Sequence, residues 1–277
     1  MIYSLKFFIK SFLLNYERPV MKIIFLGTGG AVPTATRDNT SFLLEAGREL
    51  WLVDCPGSLT QKIIRAGQKP PQVSAIFISH IHADHVYGLP AFVHSLMLEE
   101  KTVQLFGSAE TVEFCLGLLD LFGLRKEKIS YRLKPVVLAP GLKIELSRGL
   151  AVTGWPVPHH SSSLALDFET PEGRVVYSGD TPIHQPLFEH AAGADCLIHD
   201  CSTPSRYLDE LPFLRTMHSN SLELGRAAAG AGLGALVPCH FFSDLDFSPE
   251  EVETEIRQNY SGRLFIPEDF SCLELEP

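Results

Sequence analysis

The run Ser79-His80-Ile81-His82-Ala83-Asp84-His85 constrains this chain more than any other stretch. It follows Ala75-Ile76-Phe77-Ile78, an apolar, β-branched and aromatic stretch that reads as a strand. Imidazole nitrogen and carboxylate oxygen are the donors that zinc and neighbouring divalent metals prefer, and one tight loop cannot aim all four side chains at a single ion. The spacing therefore predicts two ions side by side. His80 and His82, two apart, would face one; Asp84 and His85, at the start of the next helix, would face the other. The structural alternative is a solvated histidine-rich loop, but the run sits at a strand end, where α/β folds place their chemistry.

Two ions need more donors than one loop supplies, and three further candidates stand at strand ends. Trp155 to His160 closes one strand, Val175 to Thr181 a second, and Ala235 to His240 a third. A single carboxylate can bridge ions about 3.5–4 Å apart, and Asp180, set among small residues at a strand mouth, is the natural bridge. His159 and His240 would then cap the pair from opposite sides. His160 is the neighbouring alternative to His159, which is preferred.

The remaining chain gives a mixed α/β reading. The strand at Met21–Leu26 runs into Gly27-Thr28-Gly29-Gly30, which lacks a P-loop lysine and a third dinucleotide-site glycine, and reads as a tight turn with close backbone approach. Strands follow at 41–45 and 50–53, then a helix at 58–66. Asp54, at its strand end, has two equal readings: an acceptor buttressing the metal loop, or a helix cap. Further helices are expected from Gly88 through Met97 and over 109–122, a strand at 103–106 between them, and a hairpin-rich sheet from Val136 to Tyr177. The last third alternates helices at 185–191, 221–230 and 249–259 with strands at 196–198, 235–237, 264–266 and 271–275. Asn220 and Glu223 form a capping box for the helix at 221–230.

With 277 residues and 45% hydrophobic side chains, the chain can close one large domain, expected over 21–277. A formal charge of −10 argues against stable DNA binding, which needs a basic face. The basic segment from Arg125 to Arg148, with Lys126, Lys128, Arg132, Lys134 and Lys143, is either a solvated face or a contact for a polyanionic substrate. Six scattered cysteines without a CxxC pair read as buried thiols of a reducing, cytoplasmic compartment; Cys239 stands out only because it precedes His240. Residues 1–20 place Leu5, Phe8, Ile9, Phe12 and Leu13 at helical spacing around Lys6 and Lys10. This suits an appended amphipathic segment or a misassigned start better than a signal peptide, with a membrane-surface or dimer-contact helix as the competing reading. No stretch is long enough to span a membrane.

The pattern HxHxDH, completed by His159, Asp180 and His240, resembles the metallo-β-lactamase superfamily, and within it the ribonuclease Z-like branch, over Met21 to the C-terminus. Gly27-Thr28-Gly29 with Asp54 resembles the first motif of that family, Leu197-Ile198-His199-Asp200 its IHE element, and His218-Ser219-Asn220 its HST element. The resemblance implies a four-layer αββα sandwich with a dinuclear site at the edge between the sheets. It also implies His80, His82 and His159 on one ion, Asp84, His85 and His240 on the other, and Asp180 bridging. Zinc is the expected metal, with manganese or iron as substitutes, and relatives of this kind are often homodimers. Where the diiron oxygen-reducing relatives carry glutamate, this chain has His82, which disfavours an oxidoreductase.

The implied activity is phosphodiester hydrolysis by a shared hydroxide at the two ions, with Asp84 aiming it and His218, oriented by Asp200, protonating the leaving oxygen. Two departures matter. Transfer-RNA 3′-processing members insert a long arm between the equivalents of His159 and Asp180, whereas only residues 161–179 lie there, enough for two strands and the Glu172-Gly173 turn. Asp200 also stands where the IHE element has glutamate, one methylene longer. The expected substrate is thus a small or short phosphodiester, such as a cyclic nucleotide or an exposed RNA end. A transfer-RNA 3′ endonuclease, a hydrolase of lactone, thioester or sulfate esters, and a noncatalytic nucleic-acid-binding scaffold are the alternatives.

Overall fold

The computed structural model describes residues 20–126, 129–147 and 149–275. The expected extension over 1–20 lies outside them but for Val20, as do Lys128 and Arg148. The first sheet takes β1 (Met21–Gly27), β2 (Ser41–Ala46), β3 (Glu49–Val53), β4 (Val73–Phe77), β5 (Thr102–Gly107) and β6 (Arg132–Val137). The second takes β7 (Lys143–Ser147), β8 (Leu150–Pro156), β9 (Leu164–Thr170), β10 (Gly173–Tyr177), β11 (Cys196–Asp200) and β12 (Leu236–Cys239); β13 (Cys272–Leu275) returns to the edge of the first. The orders are β13-β1-β2-β3-β4-β5-β6 and β12-β11-β10-β9-β8-β7. Strands β3 to β6 run parallel, as do β10 to β12, so the loops after their C-terminal ends gather at one edge.

Alternation along the strands builds the layers. In β3, Trp51 and Val53 face the second sheet and Leu50 and Leu52 face outward. Between the sheets, the Phe168 ring lies 5.8 Å from Trp51 and meets Phe77 edge-on at 5.0 Å. Outside the first sheet pack Ile63 of α1 (Leu59–Arg65), Phe92 of α3 (Leu89–Ser95) and Leu119 of α4 (Ala109–Leu121). Outside the second pack Phe188 of α5 (Gln185–Ala191), Leu224 of α7 (Ser221–Ala228) and Ile256 of α8 (Pro249–Arg257). Two one-turn helices, α2 (Ala83–Val86) and α6 (Leu214–Met217), lie at the loop edge. This is the four-layer αββα sandwich that the resemblance implies. No helix among the described residues is long and apolar enough to cross a membrane.

The glycine turn is a site of close approach: a Cβ on Gly27 would stand 2.1 Å from the Asn39 carbonyl oxygen. Several expectations need correction. Residues 264–266 form no strand; Leu264 makes one isolated bridge with Leu236, because Pro267 has no N–H to extend a ladder. The helix expected to 230 stops at Ala228, since Ala229 is extended and Gly230 turns at φ 84°. Those expected to reach Met97 and Asn259 stop at Ser95 and Arg257. The capping box is one-sided: the Glu223 N–H donates to Asn220 Oδ1 at 3.0 Å, but the Glu223 carboxylate accepts from the Asn220 side chain instead of its backbone. Five cysteines are buried, but Cys272 is exposed, because edge strand β13 turns alternate residues to solvent.

Candidate metal centre

The strand ends deliver each candidate side chain to the same edge. β4 ends at Phe77, and His82, on extended backbone, is the N-cap of α2, which sets His80 in the connecting loop and Asp84 and His85 on the first helical turn. His159 follows β8, Asp180 follows β10 after Gly179 at φ 60°, and His240 follows β12 with its own φ at 65°. Among the described residues the candidate donors fall into three groups, two of which share Asp180: His80, His82 and His159 in one, Asp84, His85 and His240 in the other, while the third joins Asp200, His218 and His240. His160 joins none of them; its Nδ1 pairs with Ser162 Oγ at 2.9 Å.

Hydrogen bonds on the far side of each ring decide which nitrogens face the centre. The Ser79 hydroxyl donates to Asp54 Oδ2 at 2.9 Å, so at 3.0 Å it accepts from His80 Nδ1–H and leaves His80 Nε2 bare. His159 Nδ1–H donates to the Met217 carbonyl at 2.7 Å, which leaves its Nε2 bare as well. These two nitrogens lie 3.1 and 3.0 Å from His82 Nδ1. Three ring nitrogens therefore meet with at most one proton among them, and Asp180 Oδ2 stands 3.6 Å from His80 Nε2 and 3.7 Å from His159 Nε2. Burial lowers the pKa of all three imidazoles, so they present lone pairs.

The second group is built alike. His85 Nδ1–H donates to Asp54 at 2.7 Å and turns Nε2 toward Asp180, 3.2 Å away. The Ser202 hydroxyl donates to Asp200 Oδ1 and so accepts from His240 Nδ1–H at 3.4 Å; His240 Nε2 then lies 3.1 Å from Asp180 and 3.4 Å from Asp84. Burial opposes charge on His85 and His240, but the carboxylates outweigh it. They hold His85 well above its ordinary pKa and raise His240 to about 9. Asp180 and Asp84 are pulled below the carboxylate range, against their own burial, by the surrounding imidazoles. The centre thus demands positive charge, and Asp180 Oδ1 and His85 Nε2 are buried with no hydrogen-bond partner among the described residues. The donor set fits divalent metal.

Asp54 is the hub beneath it. Its φ of 58° turns the carboxylate inward, where it accepts from the Ser79 N–H and hydroxyl, from His85 and, at 3.0 Å, from the Tyr177 hydroxyl of the other sheet. The buttress reading of Asp54 holds and the cap reading does not, since Ser58 occupies the N-cap of α1. Asp200 organises the opposite wall. It accepts from His218 Nδ1–H at 2.8 Å and from the Thr181 N–H at 3.0 Å, so the shorter side chain still reaches. The His218 ring stacks on His240 at 5.1 Å and 12°. Ser79, Ser202, Tyr177 and the Met217 carbonyl carry no motif of their own; only adjacency to His80, Asp200 and Asp180 could have flagged the side chains. Cys239 is an inert thiol, pushed up to about 12 by burial.

Of the basic segment, Arg125 pairs with Asp120 and Lys143 with Glu169. Lys134 is level with Ala75 across β5, some way back from the loop edge. These residues read as a surface face.

The two-sheet sandwich with this cluster at its edge is the metallo-β-lactamase fold, and the comparisons with known proteins make the chain a ribonuclease Z-like hydrolase of that superfamily. Ribonuclease Z of Methanosarcina acetivorans is 29% identical over 305 residues, covering 92% of this chain and 98% of that protein. The metallo-β-lactamase fold protein YhfI of Bacillus subtilis superposes with a TM-score of 0.78 at 22% identity, covering 93% of this chain and all of the other. The short form of human tRNase Z gives 0.74 at 20%, covering 92% and 100%. The family model described as "Anti-Pycsar protein Apyc1" matches residues 21–220, and the chain belongs to that family.

Proposed function

We propose that this metal-dependent phosphodiesterase holds two divalent ions and cleaves a small or short phosphodiester, such as a cyclic nucleotide or an exposed RNA end. His80, His82 and His159 hold one ion, Asp84, His85 and His240 the other, and Asp180 bridges. The observation that carries this reading is the convergence of the His80, His82 and His159 ring nitrogens, with at most one proton among them, beside a buried carboxylate with an orphaned oxygen. Nitrogen and oxygen donors without sulfur suit zinc, and also manganese or iron. Such ions, when bound, make water acidic enough to ionise near neutral pH and neutralise phosphoryl oxygens.

The chain's own side chains do the rest. Asp54, Ser79, Ser202 and the Met217 carbonyl fix ring orientation before substrate arrives. Asp84, the more exposed of the two central carboxylates, accepts the hydrogen bond that aims the attacking water. His218, with Nδ1 held by Asp200, presents Nε2 as the donor to the leaving oxygen. Substrate size follows from the segment between His159 and Asp180, which β9, β10 and their turn occupy, leaving no arm to grip a folded RNA. Free buried thiols suit a reducing cytoplasm.

A second reading, transfer-RNA 3′ processing, is favoured by the name and full-length coverage of the ribonuclease Z relative. Zinc-loaded protein assayed against a cyclic nucleotide, bis(p-nitrophenyl) phosphate, a lactone and a precursor transfer RNA separates these. Turnover of the first two is expected. Cleavage of the precursor alone supports the second reading, and lactone turnover without phosphodiester cleavage overturns both.

A further inference from the structure

A polar cavity of about 570 Å3 opens between the 34–38 loop, helix α1 and Phe270. Its wall carries Arg37, Lys62 and Arg65 against Asp38 and Asp269, a surplus of one positive charge on a chain whose overall charge is −10. Lys62 is 4% exposed, an unusual place for an ammonium group. Its ion-pair partner among the described residues is Asp38, 2.8 Å away, and its Nζ has no well-formed hydrogen bond among them. An ammonium carries three donors, so the carboxylate balances the charge and leaves donors over.

The surrounding groups are held in place and are also undersupplied with acceptors. The Arg65 guanidinium lies 4.0 Å over the Phe270 ring. One Arg37 nitrogen donates to Thr28 Oγ1 and the Pro267 carbonyl, which leaves the rest of that guanidinium. Asp269 is already used by Thr28 and the Asp38 N–H. Ser58, in the left-handed region at φ 61°, precedes α1 without a side-chain cap hydrogen bond and lines the cavity. Forked guanidinium donors beside a desolvated ammonium match an oxyanion better than a carboxylate-free organic molecule or a cation.

We propose that this cavity is a binding site for a phosphate-type oxyanion, inorganic phosphate or the terminal phosphate of a nucleotide, distinct from the metal centre. It shares no residue with the two donor groups around Asp180. Binding there adds the acceptor oxygens that Lys62 and Arg65 lack.

The test is calorimetric titration of the metal-loaded protein with inorganic phosphate and, separately, with a nucleoside monophosphate, each repeated after chelation. A binding event that survives chelation is expected, weakened at least about tenfold in Arg65→Gln and in Lys62→Gln, with bis(p-nitrophenyl) phosphate hydrolysis unchanged in Arg65→Gln. Arg65→Gln, at an exposed position, keeps the test valid should Lys62→Gln fail to fold. Tighter binding of the nucleotide assigns the source to a nucleotide; equal binding assigns it to free phosphate. Phosphate binding that vanishes on chelation, or that Arg65→Gln leaves unchanged, overturns the proposal.

Discussion

The two histidine–carboxylate pairs at the loop edge are nearly identical locally and differ in what the free ring nitrogen meets. Asp54 grips His85 at 2.7 Å and Asp200 grips His218 at 2.8 Å, each through Nδ1 and each from a strand end. His85 then turns Nε2 onto Asp180 at 3.2 Å, inside the donor cluster. His218 instead stacks flat on His240, with its ring nitrogen outside both groups that share Asp180. On the proposed reading the same pairing makes a metal donor on one wall and a proton donor on the other. A carboxylate behind an imidazole fixes the tautomer; in the proposed function the position of the ring relative to the shared aspartate sets its role.

Substitutions that treat the two walls alike sharpen that contrast. His85→Ala is expected to lose bound metal and to lower phosphodiester turnover by at least about 10³-fold, because several kcal/mol of charge stabilisation leave with the ion. Retained metal and near-normal turnover would remove His85 from the centre. His218→Ala should lower turnover by roughly 10²–10³-fold, the range of a positioned acid, with metal content unchanged. A leaving group of low pKa, p-nitrophenolate for example, should recover much of that loss; no recovery speaks against proton donation.

Asp54→Asn is expected to weaken metal affinity by about 10–100-fold, measured by competition with a chromophoric chelator. Asp200→Asn should instead reduce turnover by about tenfold with affinity changed far less. Equal effects of the two on metal affinity would erase the distinction between the walls. The smallest effect is expected from Tyr177→Phe, which removes one of four hydrogen bonds that Asp54 accepts and joins the sheets beneath the site. Metal affinity should fall by a few-fold, on the order of 1 kcal/mol for one buried hydrogen bond.

Much of this contrast is readable in the sequence where chemistry is local. His80, His82, Asp84 and His85 crowd one loop, and strand-end placement brings His159, Asp180 and His240 into the reading. The period-2 pattern of strands such as Leu50–Val53 shows which residues face inward, while the stacking of layers comes from the resemblance rather than from the pattern. The sequence leaves Asp54 open between two roles because nothing in Asp54-Cys55-Pro56 reveals a φ of 58° or a tyrosine arriving from the opposite sheet. The Met217 carbonyl that orients His159 is backbone, which any residue at that position would supply. The strand expected at 264–266 is absent for a related reason: Leu264 and Ile266 pack into the outer core and Phe265 into the inner one, yet a proline ends the pairing after one bridge. Asp200, shorter than the glutamate of its motif, still reaches His218, because the side chain is seated by Ser202 and the Thr181 N–H.

Metal per chain, measured by inductively coupled plasma mass spectrometry on the zinc-reconstituted protein beside His85→Ala and His218→Ala, tests the central claim most directly. Two equivalents are expected in the unaltered chain and in His218→Ala, and fewer in His85→Ala. An unaltered chain that takes up no metal, or a His218→Ala protein that loses metal as His85→Ala does, would contradict it.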